Sequence, residues 1–231
     1  MNLTIVGIIL LSLIIMLTFF IYPSFHNKEI DTSKRIKMMV IDAFFIALIV
    51  IFTFVPNIGF IAVTPFISFT LLHIPVLVGA YLFGPKRGML YGFIFGVCSY
   101  LQALTAGSGF NLLFAYPWTA IPPRLLFGLI AGICFSFIRK LHKLSLKGIY
   151  LSALAIVLTF LHTALVFLDL YIFFPDTVGG LLTSSSPVAT GTALTFFAII
   201  GFGALGEMAL AGIIVPSLGL VLDKVMPRLG K

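Results

Sequence analysis

Charged residues are scarce in this chain of 231 residues. They make up 9% of the sequence, hydrophobic residues make up 61%, and the mean hydropathy is +1.21. A soluble domain of this size needs far more polar side chains to cover its water-facing surface. The composition therefore excludes a soluble fold and indicates an integral membrane protein.

Residues that hold metals or redox centres are also few. The two cysteines, Cys98 and Cys134, lie in apolar segments, and the sequence has neither a CxxC pair nor an HExxH motif. We interpret the cysteines as packing residues and the helical His73 and His162 as hydrogen-bonded helix contacts. No metal and no cofactor is expected.

Motifs for catalysis and nucleotide hydrolysis are missing as well. The sequence contains no GxxxxGK[ST] loop, and the candidate nucleophilic serines lie in loops without a nearby histidine. We therefore expect that the chain does not hydrolyse ATP itself and that it is not an enzyme. An enzyme embedded in the membrane is the less favoured alternative.

Long apolar runs dominate what is present. Runs of about 20 residues predict membrane-spanning helices, because spanning strands would alternate apolar and polar residues in shorter pieces. The first run, at 3–22, predicts a retained leading helix in a segment 1–27. Six more spans, at 38–55, 66–84, 88–105, 122–138, 148–171 and 192–222, form the predicted core domain 28–231. The fold class is therefore all-α, with one helix added to a six-helix core.

The positive charges lie at one side of these spans. Thirteen of the 14 Lys and Arg residues fall in four clusters, at 28–37, 86–87, 139–147 and 224–231. By the positive-inside rule these clusters face the cytoplasm. The predicted external loops, 56–65, 106–121 and 172–191, contain no Lys or Arg. Membrane orientation and contact with anionic lipid explain short basic loops of this kind, so a nucleic-acid partner is not expected.

Four charged residues, all Asp, Glu or Arg, lie within the predicted spans, where each needs a partner or a task. Asp42, near the cytoplasmic face, is assigned a structural or docking role. Arg124 lies one turn inside a helix that Pro122 and Pro123 open, near the external face. Its guanidinium either pairs with Asp169 or Glu207, or binds a carboxylate or phosphate of an external ligand. The sequence leaves both interpretations open.

A polar and aromatic group precedes Arg124 on the external side. It consists of Asn111, Tyr116 and Trp118. Such aromatics anchor helices at the membrane interface, and around a lone arginine they also suit the wall of a ligand pocket.

Three stretches of the chain resemble one family. Ala43 and Ala47 have the small-xxx-small spacing that allows close helix approach in lipid. Residues 67–96 combine His-Ile-Pro, Gly-Ala, Gly-Pro-Lys and a Gly-xxx-Gly spacing, and residues 206–215 place Glu207 before small and aliphatic positions. Over about 38–225, the chain resembles the substrate-binding S components of energy-coupling factor (ECF) vitamin transporters.

This resemblance implies a function. An S component is a multi-pass protein of the bacterial plasma membrane that captures a vitamin from outside and then topples within the membrane. A transmembrane coupling subunit and two ATPase subunits are the implied partners, with Ala43 and Ala47 as the docking residues. The candidate substrate-binding residues are Gln102, Asn111, Tyr116, Trp118, Arg124, Asp169, Glu207 and His73.

The family leaves the vitamin open, because S components share a fold and differ in their pocket residues. Arg124 favours a ligand with a carboxylate, and pantothenate is small enough for a pocket between six helices. The alternatives are hydroxymethylpyrimidine or pyridoxine, riboflavin, folate and cobalamin. An independent secondary transporter is a further alternative, although the two halves show no convincing repeat.

Overall fold

The computed structural model describes residues 32–55, 58–64, 67–106, 109–141, 143–175 and 187–225. Where these ranges include 32, 34–35, 60–69, 106–111, 187–200 and 202, only the backbone is described. The predicted leading helix at 3–22 lies outside the described residues. The chain divides into two units, Met1–Phe44 and Phe45–Lys231, and the packing and the candidate site below belong to the second.

Helices make up most of the described chain. They are α1 (Thr32–Phe54), α2 (His73–Phe83), α3 (Pro85–Ala106), α4 (Pro117–Ala120), α5 (Pro122–Ile138), α6 (Leu144–Phe173) and α7 (Pro187–Val225), with a 3-10 helix at Gly109–Phe114 before α4. Five segments of this part are long and apolar enough to cross a membrane, and α2 is a shorter apolar helix. The predicted helical membrane fold is confirmed, because each of the six predicted core spans overlaps one long helix or α2.

A β-hairpin precedes α2, where the sequence predicted the start of a span at residue 66. Its strands, β1 (Phe60–Thr64) and β2 (Ile67–Thr70), are antiparallel, with Phe60 opposite Thr70. Both strands are rich in β-branched and aromatic residues, which favour strands, and a short apolar run does not distinguish a strand from a helix. The predicted boundary was therefore wrong, and α2 begins at His73.

Two helix boundaries confirm the positions that glycine and proline predict. Helix α5 starts at Pro122, with Pro123 also in its first turn, where the missing N–H groups cost little. Helix α2 ends before Gly84, whose φ of 85° lies in the left-handed region that favours glycine. Pro85 then opens α3.

Helices α3 and α5 pack against each other through glycines. A Cβ atom at Gly88 would lie 2.3 Å from the Gly128 carbonyl oxygen, and one at Gly92 would lie 2.2 Å from the Arg124 carbonyl oxygen. Both distances are far below ordinary van der Waals contact, so only glycine allows this backbone separation. The interface therefore holds the first turn of α5, which carries Arg124, directly against α3.

Polar contacts join the helix ends near the basic clusters. Lys147 of α6 donates a hydrogen bond of 2.6 Å to Asp223 Oδ2 of α7, and the Tyr81 hydroxyl donates to the same oxygen over 3.1 Å. Arg139, which follows α5, donates to the Leu82 carbonyl near the end of α2 over 3.1 Å. The ends of α2, α5 and α7 and the start of α6 therefore meet at one end of the bundle, as the charge pattern predicts.

Candidate functional site

Arg124 is a buried cation at the start of α5. Its side chain is 5% exposed, and Nη1 donates a hydrogen bond of 2.9 Å to the Thr119 carbonyl oxygen. The guanidinium carbon lies 4.5 Å from the Phe114 ring centroid and 5.8 Å from that of Phe95. These contacts come from the 3-10 helix, α4 and α3, so three neighbouring elements orient one guanidinium.

The segment that accepts the Arg124 hydrogen bond is itself held in place. The Thr119 hydroxyl donates to the Leu113 carbonyl oxygen over 2.6 Å, which ties α4 to the 3-10 helix. The Tyr116 ring, at the N-cap of α4, contacts the rings of Trp118 and Phe174 in tilted geometry, with centroid separations of 5.1 and 5.4 Å. The aromatic residues thus connect α4 with the end of α6.

Of the two carboxylates predicted to pair with Arg124, Glu207 bonds elsewhere. Its Oε1 accepts a hydrogen bond of 2.7 Å from the Thr70 N–H, and it also accepts one from the Thr70 hydroxyl. Glu207 therefore ties α7 to β2. A direct Arg124–Glu207 pair is not formed, because this bond holds the carboxylate at the hairpin.

Asp169 of α6 is the carboxylate that acts on Arg124 through charge. It makes no direct hydrogen bond to the guanidinium: across the described ranges, the one side-chain hydrogen bond of Arg124 is the bond to Thr119. Arg124 Nε and Asp169 Oδ2 are both buried, and neither finds a hydrogen-bond partner in the described part of the chain. Hydrogen-bonding capacity therefore remains on both side chains for a third group.

Two histidines belong to the same cluster as this guanidinium through the Phe95 ring, and His162 was not among the predicted site residues. The His162 ring, on α6, lies 4.8 Å from the Phe127 centroid and 5.6 Å from that of Phe95, which also contacts Arg124. His73, at the start of α2, stacks on His162 with a centroid distance of 6.2 Å. His73 is fully buried and His162 is 8% exposed.

The interpretation of these histidines as hydrogen-bonded helix contacts was wrong in part. Both ring nitrogens of His73 and Nε2 of His162 are buried and lack hydrogen-bond partners among the described residues. The rings pack against each other and against aromatic rings instead. The rule that ionisable groups inside a membrane need a task, applied above to Arg, Asp and Glu, would have identified His162 had it been applied to histidine too.

The other predicted site residues lie around this centre. Gln102 Nε2 donates to the Thr53 carbonyl oxygen over 3.0 Å and so joins α3 to α1. Tyr116 and Trp118 are 42% and 41% exposed, and they contact each other. Asn111 lies in the 3-10 helix, and its side chain falls outside the described part. The structure thus brings Arg124, Asp169, His73 and His162 together, with the aromatic residues at the edge.

The arrangement of these side chains suits the binding of an anionic ligand. A guanidinium fixed by rings and a carbonyl provides a cation for a carboxylate or phosphate, and the imidazoles provide neighbouring donors and acceptors. Within the described ranges there is no group of three or more His, Cys, Asp or Glu residues that could hold a metal ion. Phe95 and Phe127 form apolar walls between these polar groups.

The predicted docking residues lie elsewhere, on α1. Ala43 and Ala47 are one helical turn apart, and both are exposed. Small side chains at this spacing leave a flat strip on the helix that a second transmembrane helix can approach closely.

Comparison with known proteins agrees with these observations. A family model described as the substrate-specific component of ECF transporters matches residues 37–219. The chain is 29% identical over 204 residues to a pantothenate transporter, PanT, of Leuconostoc mesenteroides, which covers 86% of this chain and 98% of the relative. It is 31% identical over 154 residues to a pantothenic acid transporter, PanT, of Lactococcus lactis, which covers 59% of this chain and 73% of that relative.

Proposed function

Because the chain belongs to the substrate-specific components of ECF transporters, we propose that it captures pantothenate at the outer face of the cell membrane. The main support for this proposal is the environment of the Arg124 side chain. Its guanidinium is buried, oriented by Phe114 and Thr119, and keeps an unpartnered Nε within the described part of the chain. A buried guanidinium in this state suits a carboxylate ligand.

Pantothenate fits this chemistry better than the uncharged vitamins. It carries one carboxylate, whereas riboflavin and pyridoxine carry none. Both relatives described above are named as transporters of this vitamin. The amide and hydroxyl groups of pantothenate would lie beyond the carboxylate, among the neighbouring polar and aromatic side chains.

Transport would require partner subunits. The sequence has no nucleotide-binding loop, so the proposal assigns ATP hydrolysis to two separate ATPase subunits and coupling to a transmembrane subunit. Ala43 and Ala47 would form the strip of α1 that docks on that coupling subunit. The loaded protein would then topple within the membrane and release the vitamin inside.

The proposal is tested by isothermal titration of pantothenate into the purified protein. We expect the unmodified chain to bind and Arg124→Gln to bind about 10 to 100 times more weakly, because a hydrogen-bonded charge contributes about 1.5–3 kcal/mol. Arg139→Gln is the matched control, since Arg139 bonds to Leu82 at the opposite end of α5. It should bind normally.

The ligand itself is identified by mass spectrometry of the small molecule released from the denatured protein. Pantothenate is the expected result. Release of a different vitamin, or normal pantothenate affinity in Arg124→Gln, would contradict the proposal.

A further inference from the structure

The stacked pair His73 and His162 holds hydrogen-bonding groups that the described protein leaves unused. Three of its four ring nitrogens, both of His73 and Nε2 of His162, are buried and lack a partner in the described ranges. A buried polar group without a partner is destabilising, and such groups are rare in folded proteins. Three on adjacent rings therefore indicate that another molecule completes their hydrogen bonds.

The histidine pair and Arg124 share one neighbour, the Phe95 ring. The Phe95 ring is 5.8 Å from the Arg124 guanidinium carbon and 5.6 Å from the His162 ring, and His73 lies 6.2 Å from His162. Successive contacts therefore join a cation, an aromatic ring and two imidazoles in one cluster. Each uncharged imidazole offers one donor and one acceptor.

This combination of side chains suits a particular class of ligand. A molecule with a carboxylate at one end and uncharged hydroxyl or amide groups at the other can match the cation and the imidazoles at the same time. A plain fatty acid could satisfy only the cation, because its alkyl chain would leave the imidazole nitrogens without partners.

We infer that His73 and His162 form a second polar subsite, which binds the hydroxyl-bearing end of the ligand while Arg124 binds its carboxylate. The inference rests on the proposed function, since it assumes that a carboxylate lies at Arg124. It adds His162 to the binding residues. It also assigns the selection of hydroxyl-bearing acids to the histidines and the selection of anions to the arginine.

The test compares two ligands: pantothenate, and an N-acyl β-alanine of the same length whose acyl chain lacks both hydroxyl groups. In the unmodified chain we expect the analogue to bind at least about tenfold more weakly, because its hydroxyl-free end leaves the imidazoles unpaired. This measurement requires no mutation. Equal affinity for the two ligands would overturn the inference.

Substitutions then locate the effect. His162→Phe, which keeps a ring of similar shape, should weaken pantothenate binding about tenfold or more and leave analogue binding nearly unchanged. Arg124→Gln should weaken the binding of both ligands. Thr159→Val is the control on α6, because the buried Thr159 hydroxyl already donates to the Ala155 carbonyl. It should change neither affinity.

The outcomes separate the two claims. Equal weakening of both ligands by His162→Phe would show a structural role for this residue and overturn the subsite. Failure of the unmodified chain to bind pantothenate would instead refute the proposed function, and the subsite with it. If His162→Phe does not fold, the comparison of the two ligands in the unmodified chain still decides the question.

Discussion

The contact between Gly92 and the Arg124 backbone predicts that one methyl group on α3 disturbs the binding site. In Gly92→Ala the new Cβ would lie 2.2 Å from the Arg124 carbonyl oxygen, whereas ordinary contact begins at 3.4 Å. The obstacle is backbone and cannot rotate away as a side chain would. We therefore expect α3 and the first turn of α5 to separate by about 1 Å.

A displacement of this size should reduce both affinity and stability. It moves the guanidinium relative to its ligand, and losing a charge-assisted hydrogen bond costs about 1.5–3 kcal/mol, which corresponds to a roughly tenfold to hundredfold weaker affinity. Overpacking of a tight interface lowers the free energy of unfolding by about 1–3 kcal/mol. Titration with pantothenate measures the first effect, and thermal unfolding in detergent measures the second.

Two control variants distinguish positioning of Arg124 from general damage. Gly88→Ala creates a similar clash with the Gly128 carbonyl oxygen, at 2.3 Å, but one turn further from Arg124 along α3. Gly88→Ala should lower the free energy of unfolding as much as Gly92→Ala does, and it should reduce the affinity for pantothenate less. Gly201→Ala should change neither, because no described atom beyond the neighbouring backbone of its own helix lies within 4 Å of the new Cβ. Normal affinity in Gly92→Ala, or an equal affinity loss in Gly88→Ala, would refute the reasoning.

Two further predictions concern the other end of the bundle and the surface of α1. Asp223→Asn weakens the hydrogen bond from Lys147 and should lower the free energy of unfolding by about 1 kcal/mol. It should not change the affinity for pantothenate, because Lys147 and Asp223 lie at the opposite end of the bundle from Arg124. A changed affinity would contradict this expectation. Ala47→Trp should prevent co-purification of the coupling subunit and leave binding intact, whereas Ile213→Trp, at a position 66% exposed on α7, should assemble normally. Assembly of Ala47→Trp would exclude this docking strip.

The elements that the sequence predicted correctly depend on local properties. Pro122 and Pro123 mark the start of α5 because proline fits the first turn of a helix. Gly84 marks the end of α2 because its backbone adopts a positive φ. The hairpin before α2 was missed because a run of four or five apolar residues is compatible with either a strand or a buried helix.

The candidate site was predicted in part. Arg124 and Asp169 stood out because charges are rare inside apolar spans, and the structure places them close enough to interact. Glu207 shared that property, but it bonds to Thr70. His162 was interpreted as a helix contact and not as a site residue, because nothing in its own stretch of sequence connects it with His73, which lies 89 positions earlier.

The sequence by itself determined the helical membrane class of the protein and its family, because composition, run length and motifs can all be read along the chain. Only the tertiary structure decided which polar groups meet. Helices that are apolar on nearly every side carry little information about which face is buried against which neighbour. The close approach of Gly92 to Arg124, the stacking of His73 on His162 and the bond of Glu207 to the hairpin depend on how distant segments pack.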